Sequence, residues 1–274
     1  MKRDLILYIS GLLVIVYGCK GFEKVVKSSD YMLKYNEAKR YYTEEDYYRA
    51  QVLFDQIAPV FRGAEQADTV YYYQAMCYYK QSEYIMAGHY FQNFSNTYGG
   101  SPFVEEADFM TAYCYYKNSP RAELDQENTQ MAIQFFQLFI LKYKESERVQ
   151  EAEKYINQLR EKLVEKSFIS AKLYYDLDDY KASIVALNNS LSEFPESKYR
   201  EDIMFMLLES SYKLAFNSIE SKKKERFQST IDEYYSFKAE FPNSGHQREA
   251  ERYYRLSVKY LGDDYNEDEE SEIN

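Results

Sequence analysis

The sequence predicts an all-α protein, built as a superhelical stack of about five helix pairs. The 274 residues include 9 Gly and 5 Pro, which is too few turn-forming residues for a many-stranded β protein. One pattern recurs along the chain: an aromatic residue, two residues, Ala, two residues and Tyr-Tyr. Spacings of three and four place these side chains on one side of a helix. A single helix pair cannot bury its own apolar face, so the copies are expected to stack.

This recurring pattern defines helix A of each pair. Its Ala lies where a neighbouring helix must come close, and the tyrosines provide large apolar rings with a polar tip. A fifth copy is degraded, with Leu and Ser in place of Ala and the first Tyr. The copies are Tyr35/Ala38/Tyr41-Tyr42, Tyr72/Ala75/Tyr78-Tyr79, Phe109/Ala112/Tyr115-Tyr116, Phe168/Ala171/Tyr174-Tyr175 and Phe205/Leu208/Ser211-Tyr212.

A second pattern defines helix B and the turn that follows it. A small residue is followed four residues later by an apolar one and eleven residues later by an aromatic one. The turn ends three residues further on in a small residue, usually Ser, which can cap the next helix. Pro102 suits a first helical position. The copies are Ala50/Phe54/Phe61/Ala64, Ala87/Phe91/Tyr98/Ser101, Ala132/Phe136/Tyr143/Ser146, Ser183/Leu187/Phe194/Ser197 and Thr230/Tyr234/Phe241/Ser244.

Together with Pro195 and Pro242 in the turns between pairs, the two patterns resemble the tetratricopeptide repeat. Irregular spacings predict where the repeats differ. The turn aromatic precedes the next helix-A aromatic by 11 residues at three junctions, but by 25 between Tyr143 and Phe168. The excess is about four helical turns, so one helix is expected from near Ser146 to about Asp176. Extra residues over 118–128 and 220–226 predict loops or prolonged helices.

The N-terminus predicts a lipid anchor. A basic start precedes an apolar run, Leu5 to Tyr17, whose length is typical of a signal peptide rather than a membrane span. It ends in Val16-Tyr17-Gly18-Cys19, which resembles a bacterial lipobox, and this resemblance implies cleavage before Cys19 and acylation of its thiol. A plain anchor helix followed by an incidental Cys is the alternative.

The predicted organisation has four parts. Residues 1–18 form a lipoprotein signal peptide, 19–30 a tether, 31–262 the domain of five tetratricopeptide repeats, and 263–274 a disordered acidic tail.

The composition argues against several function classes. A net charge of -11 and the lack of a basic stripe exclude a nucleic-acid partner. His89 and His246 stand in no metal-ligand spacing, there is no phosphate-binding loop or nucleophile motif, and the acidic residues are expected on solvated helix faces. Cys77 and Cys114 occupy the same position of adjacent repeats and are expected to be buried free thiols. The sequence therefore predicts a protein that is not an enzyme and has no metal site.

The lipobox-like end, the five repeats and the long fourth-repeat helix resemble the BamD-like outer-membrane lipoproteins of the β-barrel assembly machinery. The acidic tail, and repeat turns without Pro after Phe61, Tyr98 and Tyr143, depart from that family's pattern. The segments that carry the resemblance are Lys34-Tyr35-Asn36-Glu37-Ala38, Phe61-Arg62-Gly63, Tyr78-Tyr79, and the stretch from Ser119-Pro120 through Leu124-Asp125-Gln126 to Thr129.

The resemblance implies a scaffold subunit anchored in the outer membrane and facing the periplasm; Lys20 after the Cys fits that membrane. Its partners would be the barrel insertase with its accessory subunits and unfolded outer-membrane proteins. N-terminal repeats would recognise clients, and C-terminal repeats would dock on the insertase. The covalent lipid on Cys19 would be its sole prosthetic group. A tetratricopeptide lipoprotein of cell-wall or pilus assembly is the alternative.

A groove lined by the A helices of repeats one to three is expected to hold an extended client segment. In the tetratricopeptide pattern, the aromatic three residues before the helix-A Ala and the second Tyr of the pair face the groove. The alternative is that these rings simply pack between repeats. The selected residues are Tyr35, Tyr42, Tyr72, Tyr79, Phe109 and Tyr116.

Overall fold

A computed structural model describes the backbone of residues 21–272 and the side chains of residues 21–262. Within these residues the regular structure is helical throughout, which confirms the all-α prediction. The predicted signal peptide and Cys19 lie outside the described residues. A short helical stretch over 21–27 precedes the longer helices. These are α1 (Tyr31–Thr43), α2 (Tyr47–Phe61), α3 (Ala67–Lys80), α4 (Tyr84–Thr97), α5 (Val104–Asn118), α6 (Glu127–Lys142), α7 (Val149–Asp176), α8 (Tyr180–Glu193), α9 (Arg200–Phe216), α10 (Glu220–Glu240) and α11 (Gln247–Glu272).

The helices form the five predicted pairs, α1/α2 to α9/α10, followed by α11. From α1 to α6 and again from α8 to α11, each helix packs against the next one along the chain. Almost no solvent reaches the small residues that the two patterns place within helix A and helix B. Their exposed fractions are 0% at Ala38, Ala75, Ala112, Ala50, Ala87, Ala132, Ser183 and Thr230, and 2% at Ala171.

The described chain divides into two compact units. The first contains residues up to 120 and residues 125–160, and the second contains residues 121–124 and those from 161 onward. In the first unit the core around Phe91 and Phe136 extends to Leu159 of α7. In the second unit Ala171 of α7 packs with Leu187 and other apolar residues. The long fourth-repeat helix is thus confirmed, and its two ends serve different cores.

The turns within the first, second and fourth pairs share one conformation. Glu45, Ser82 and Asp178 occupy the same repeat position, seven residues after the helix-A Ala, and have φ values of 62°, 63° and 56°. This left-handed conformation reverses the chain within a few residues. In two of these turns the next residue caps helix B, because Asp46 accepts a hydrogen bond from the Arg49 amide and Asp179 from the Ala182 amide.

The turns between the pairs also repeat. The small residue at the end of the turn donates its amide to the carbonyl of the turn aromatic, at 2.9 Å from Ser101 to Tyr98. Each Ser then accepts a hydrogen bond from the amide two residues later, as Ser244 does from His246 at 3.0 Å. The α-helix begins only three residues further on, at Val104 after Ser101, with Phe103 as its N-cap. The predictions that Ser101 caps the helix and that Pro102 occupies its first position are therefore wrong, because both residues lie in the turn that leads into the helix.

Two predicted boundaries differ from the structure. Residues 21–27, expected in the tether, form a helix because Phe22, Val25 and Val26 have a place to pack in the core of repeat one. At the other end, α11 continues to Glu272, so the backbone of 263–272 is helical rather than disordered. Glutamate favours helices and the segment contains no Pro, so its helix propensity is high although its apolar content is low.

The extra residues in repeats three and five take different forms. Residues 119–126 form a loop between α5 and α6, and residues 220–226 belong to the prolonged helix α10. Cys77 and Cys114 are buried free thiols, as predicted. Gly88 permits the close contact of α4 with α5, since a Cβ there would lie 3.2 Å from the Cys114 Cβ.

Candidate functional site

Three of the six predicted groove residues are buried. Tyr35, Tyr72 and Phe109 keep only 9%, 8% and 3% of their surface exposed. An aromatic ring covers each of them: Phe61 stacks on Tyr35 with centroids 5.7 Å apart, Phe103 on Tyr72 at 4.5 Å, and Phe139 meets Phe109 edge-on at 5.4 Å. The structure therefore places these three rings between helices, where they have little surface left for a ligand.

The other three, each the second tyrosine of its pair, are half-buried and sit beside further tyrosines. The ring centroid of Tyr42 lies 5.4 Å from that of Tyr47, and Tyr79 lies 5.8 Å from Tyr84. The ring centroid of Tyr116 lies 4.4 Å from that of Tyr155, a residue of α7. A second tyrosine thus widens the partly exposed aromatic surface in each of the first three repeats.

Tyrosines of repeats two and three and of the long helix α7 form one continuous surface, which we call the tyrosine face: Tyr79, Tyr84, Tyr113, Tyr116 and Tyr155. Tyr113 joins its members, with ring centroids 6.2 Å from Tyr79, 5.7 Å from Tyr116 and 5.4 Å from Tyr155. All five rings are half-buried, so each presents part of its surface to solvent. The face includes two of the six predicted residues, and it adds three that the helix-A pattern did not select.

Lysines at one repeat position border this aromatic surface. The ammonium of Lys80 lies 5.9 Å above the ring of Tyr47, and that of Lys117 lies 5.6 Å above the ring of Tyr84. Among the described residues, neither lysine forms an ion pair with a carboxylate. Cation–π contact holds each ammonium against a ring while leaving its outer side open to water or to an anionic group.

The hydroxyl groups of Tyr79 and Tyr155 remain protonated at neutral pH. Burial first, and then the neighbouring Tyr113, raises the pKa of Tyr79 to about 12. Burial and the nearby Glu151, which accepts the Tyr155 hydroxyl at 2.9 Å, also raise the pKa of Tyr155. A protonated hydroxyl both donates and accepts, so this surface can pair with either type of backbone group of a peptide.

In the second unit the corresponding lysine is paired. Lys213 donates to Glu209 at 2.9 Å, and Tyr253 donates to the same carboxylate at 3.0 Å, as does Tyr175. Although burial opposes it, these hydrogen bonds hold the pKa of Glu209 below its usual range. The prediction that acidic residues lie on solvated faces is wrong for Glu209, which is 8% exposed. Its position beside the buried Leu208 in the repeat pattern could have indicated this.

The described part of the chain shows neither a metal site nor a membrane span. Within residues 21–262, no group of three or more His, Cys, Asp or Glu side chains is arranged to hold a metal ion. Across the described helices, none combines the length and apolar character that crossing a bilayer requires.

Comparison with known proteins identifies a family. No curated protein matches the chain. Among solved structures, one described as the TPR2AB-domain:pHSP90-complex of yeast Sti1 is similar, with a TM-score of 0.37 and 14% sequence identity over 83% of this chain and 98% of that chain. This level of similarity supports no functional conclusion. A family model described as "YfiO: Outer membrane lipoprotein" matches residues 28–224, which cover most of the chain. The chain therefore belongs to the YfiO family of outer membrane lipoproteins.

Proposed function

We propose that this protein is a lipid-anchored scaffold of the outer-membrane protein assembly machinery, and that it binds unfolded barrel proteins and the insertase. Its family supports a role at the outer membrane. The observation that carries client binding is the tyrosine face, a continuous row of half-buried rings bordered by Lys117. A scaffold that holds polypeptides has no need of a catalytic group.

An unfolded barrel strand has the chemistry that the tyrosine face accepts. Such a strand alternates apolar and polar side chains and has unpaired backbone N–H and C=O groups. Its apolar side chains can stack on the exposed parts of the five rings, while tyrosine hydroxyls pair with its backbone. Tyr42 is assigned to the same proposed binding site because it is the residue of repeat one that corresponds to Tyr79 and Tyr116; its ring lies 4.8 Å from that of Tyr73 in repeat two.

The second unit is proposed to dock on the insertase and its accessory subunits. It has several large apolar side chains exposed to solvent, including Leu177 at 66%, Phe216 at 62% and Ile219 at 68%. Exposed apolar residues that are rimmed by polar ones are typical of protein interfaces. In this division of labour, the first unit receives the client and the second holds the machinery.

The anchor is proposed to be lipid on Cys19, which places the protein at the outer membrane on its periplasmic side. Several acyl chains on one residue hold a protein far more firmly than a single chain does. Cys19→Ser should therefore yield an uncleaved precursor or a soluble periplasmic form. Mass spectrometry of the N-terminal peptide from the membrane fraction tests this, and an unmodified Cys19 thiol there would overturn the anchor.

Client binding is tested by removing two rings of the tyrosine face, with Tyr79→Ala and Tyr116→Ala combined. The ligand is a peptide from the C-terminal strand of an outer-membrane barrel protein. Loss of two interface aromatics at roughly 1 kcal/mol or more each should weaken binding at least about tenfold. Circular dichroism first establishes that the variant is folded.

The matched control combines Tyr48→Ala and Tyr235→Ala. These tyrosines lie outside the tyrosine face and are 66% and 54% exposed. The control should bind the peptide as the unmodified protein does. Unchanged binding by the folded Tyr79/Tyr116 variant would mean that the client binds elsewhere, while the scaffold role would stand.

A tetratricopeptide lipoprotein of cell-wall or pilus assembly would have the same anchor and repeats but other partners. Co-purification from detergent-extracted membranes separates the two functions. A barrel insertase in the eluate supports the proposed function, whereas peptidoglycan enzymes or a pilus secretin in its place would contradict it.

A further inference from the structure

The start of the first repeat presents an apolar surface next to the end of the chain that is proposed to be acylated. Tyr31, Met32 and Leu33, the first three residues of α1, are 43%, 50% and 41% exposed. Leu33 also lines a cleft of about 610 Å³ together with Val25, Lys24 and other residues of the preceding segment. Three consecutive large apolar side chains are thus exposed beside this cleft, and none of them belongs to the core of the first repeat.

The segment that leads to this surface is held against the repeat. Phe22 meets Tyr41 edge-on with ring centroids 5.6 Å apart, and the Arg49 guanidinium lies 5.4 Å above the Phe22 ring. Lys34, only 6% exposed, donates its ammonium to the Val26 carbonyl at 2.9 Å and to the Gln56 side chain at 2.7 Å. Residues 22–26 therefore belong to the folded domain and add no length to a tether.

The remaining connection to the proposed lipid is very short. Cys19 and Gly21 are two residues apart, which limits the distance between their Cα atoms to about 7 Å. This is about the thickness of the headgroup layer of one leaflet, so acyl chains on Cys19 would bring the first repeat to the membrane surface. A long flexible tether would have imposed no such restraint.

The charge near this surface suits a phospholipid headgroup layer. Residues 20–34 contain four lysines, at positions 20, 24, 27 and 34, and two acids, Glu23 and Asp30, which gives +2 in a chain of net charge -11. Lys24 and Lys27 are exposed at the cleft, and Lys27 pairs with Glu23 at 3.5 Å. Lysines beside tyrosine and aliphatic residues are typical of surfaces that lie at the membrane interface.

We propose that the first turn of α1, with Tyr31, Met32 and Leu33, rests in the headgroup region of the membrane that carries the Cys19 lipid. This inference relies on the proposed anchor and goes beyond it, because it assigns a protein surface to the bilayer. The first repeat is then held at a fixed height against the membrane, and the tether does not let it swing freely.

The test places a fluorophore on the acylated full chain in vesicles of phosphatidylethanolamine and phosphatidylglycerol with nitroxide-labelled headgroups. The label is attached through Leu33→Cys or, in a second preparation, Met32→Cys. The matched control is Ile85→Cys in α4, a residue that is 74% exposed. Cys77 and Cys114 are buried and should stay unlabelled. We expect several-fold stronger quenching by the lipid nitroxide at positions 32 and 33 than at position 85.

Each other outcome overturns the inference. Equal quenching at all three positions in a chain whose acylation is verified by mass spectrometry contradicts the membrane contact alone and leaves the proposed anchor standing. A label at position 33 that is shielded from an aqueous quencher but not reached by the lipid nitroxide shows that a protein or a second copy covers this surface. An unacylated Cys19 in the membrane fraction contradicts both the anchor and the contact.

Discussion

At the scale of single residues, the short turns within helix pairs contain backbone strain, which allows the chain to reverse within a few residues. Glu45, Ser82 and Asp178 adopt positive φ although none is glycine. A Cβ makes this conformation unfavourable by roughly 1 kcal/mol. The three residues share one repeat position, so a short turn between the two helices of a pair requires this conformation there whatever the side chain.

Glycine at this position should stabilise the protein. For Glu45→Gly we expect the free energy of unfolding to rise by roughly 0.5–1 kcal/mol, because the native φ of 62° suits Gly, although the greater entropy of its unfolded chain reduces the gain. Chemical denaturation monitored by circular dichroism measures the change. Glu45→Ala is the control, since it removes the carboxylate but keeps the Cβ. A gain in Glu45→Ala equal to that in Glu45→Gly would show that charge, and not backbone strain, is responsible.

At the scale of the elements, the sequence was sufficient to predict the helix pairs. It was not sufficient to predict which aromatic rings are buried between helices and which are partly exposed. The Ala and Tyr-Tyr positions predicted the buried contacts because a close helix approach depends on small side chains at fixed spacing. Burial of Tyr72, by contrast, depends on Phe103, which stacks on it from outside the repeat pattern. The helix over 21–27 was also missed, because its apolar side chains are buried only by packing against the core of the first repeat, which the short segment itself does not reveal.

The packing between the helices gives a prediction for Ala75. This residue is fully buried where helix A of repeat two meets its neighbours. Ala75→Leu should overpack this contact and lower the free energy of unfolding by roughly 1–3 kcal/mol. The midpoint of chemical denaturation measures the loss.

Two variants serve as controls for Ala75→Leu. Ala239→Leu makes the same change at an exposed position of α10 and should alter stability by no more than about 0.5 kcal/mol. Deletion of residues 263–274, an acidic and apolar-poor segment, should stay within the same limit. If either control were as damaging as Ala75→Leu, the proposed repeat register would be wrong.

At the scale of the whole molecule, the abundance of buried tyrosine makes the stability of the fold depend on pH in the alkaline range. The chain contains 32 tyrosines. Burial raises the pKa of Tyr79 from 10.0 to about 12. Burial is also the leading cause of raised pKa values at Tyr42, Tyr72, Tyr78, Tyr155, Tyr175 and Tyr253.

A raised pKa means that the folded protein binds these protons more tightly than the unfolded chain does. The resulting stability is complete below the unfolded pKa and is lost as the pH rises through the folded values. We therefore expect the denaturation midpoint to fall steadily above about pH 10, with tyrosinate absorbance appearing later in the folded than in the denatured protein. Tyrosines that ionise over the same pH range in both states would contradict this.

Three intervals between neighbouring repeats are equal in length, and this has a consequence for how the gene can gain or lose a repeat. From Ala38 to Ala75, from Ala75 to Ala112 and from Ala171 to Leu208 the interval is 37 residues each time. Removing residues 72–108 would set Phe109 directly after Tyr71, in the place that Tyr72 holds now, and the contacts among the residues that follow would be kept. Unequal crossing-over can therefore delete or duplicate a whole repeat and keep the spacing of the repeat pattern. The number of repeats can then change while the packing between neighbouring helices is kept.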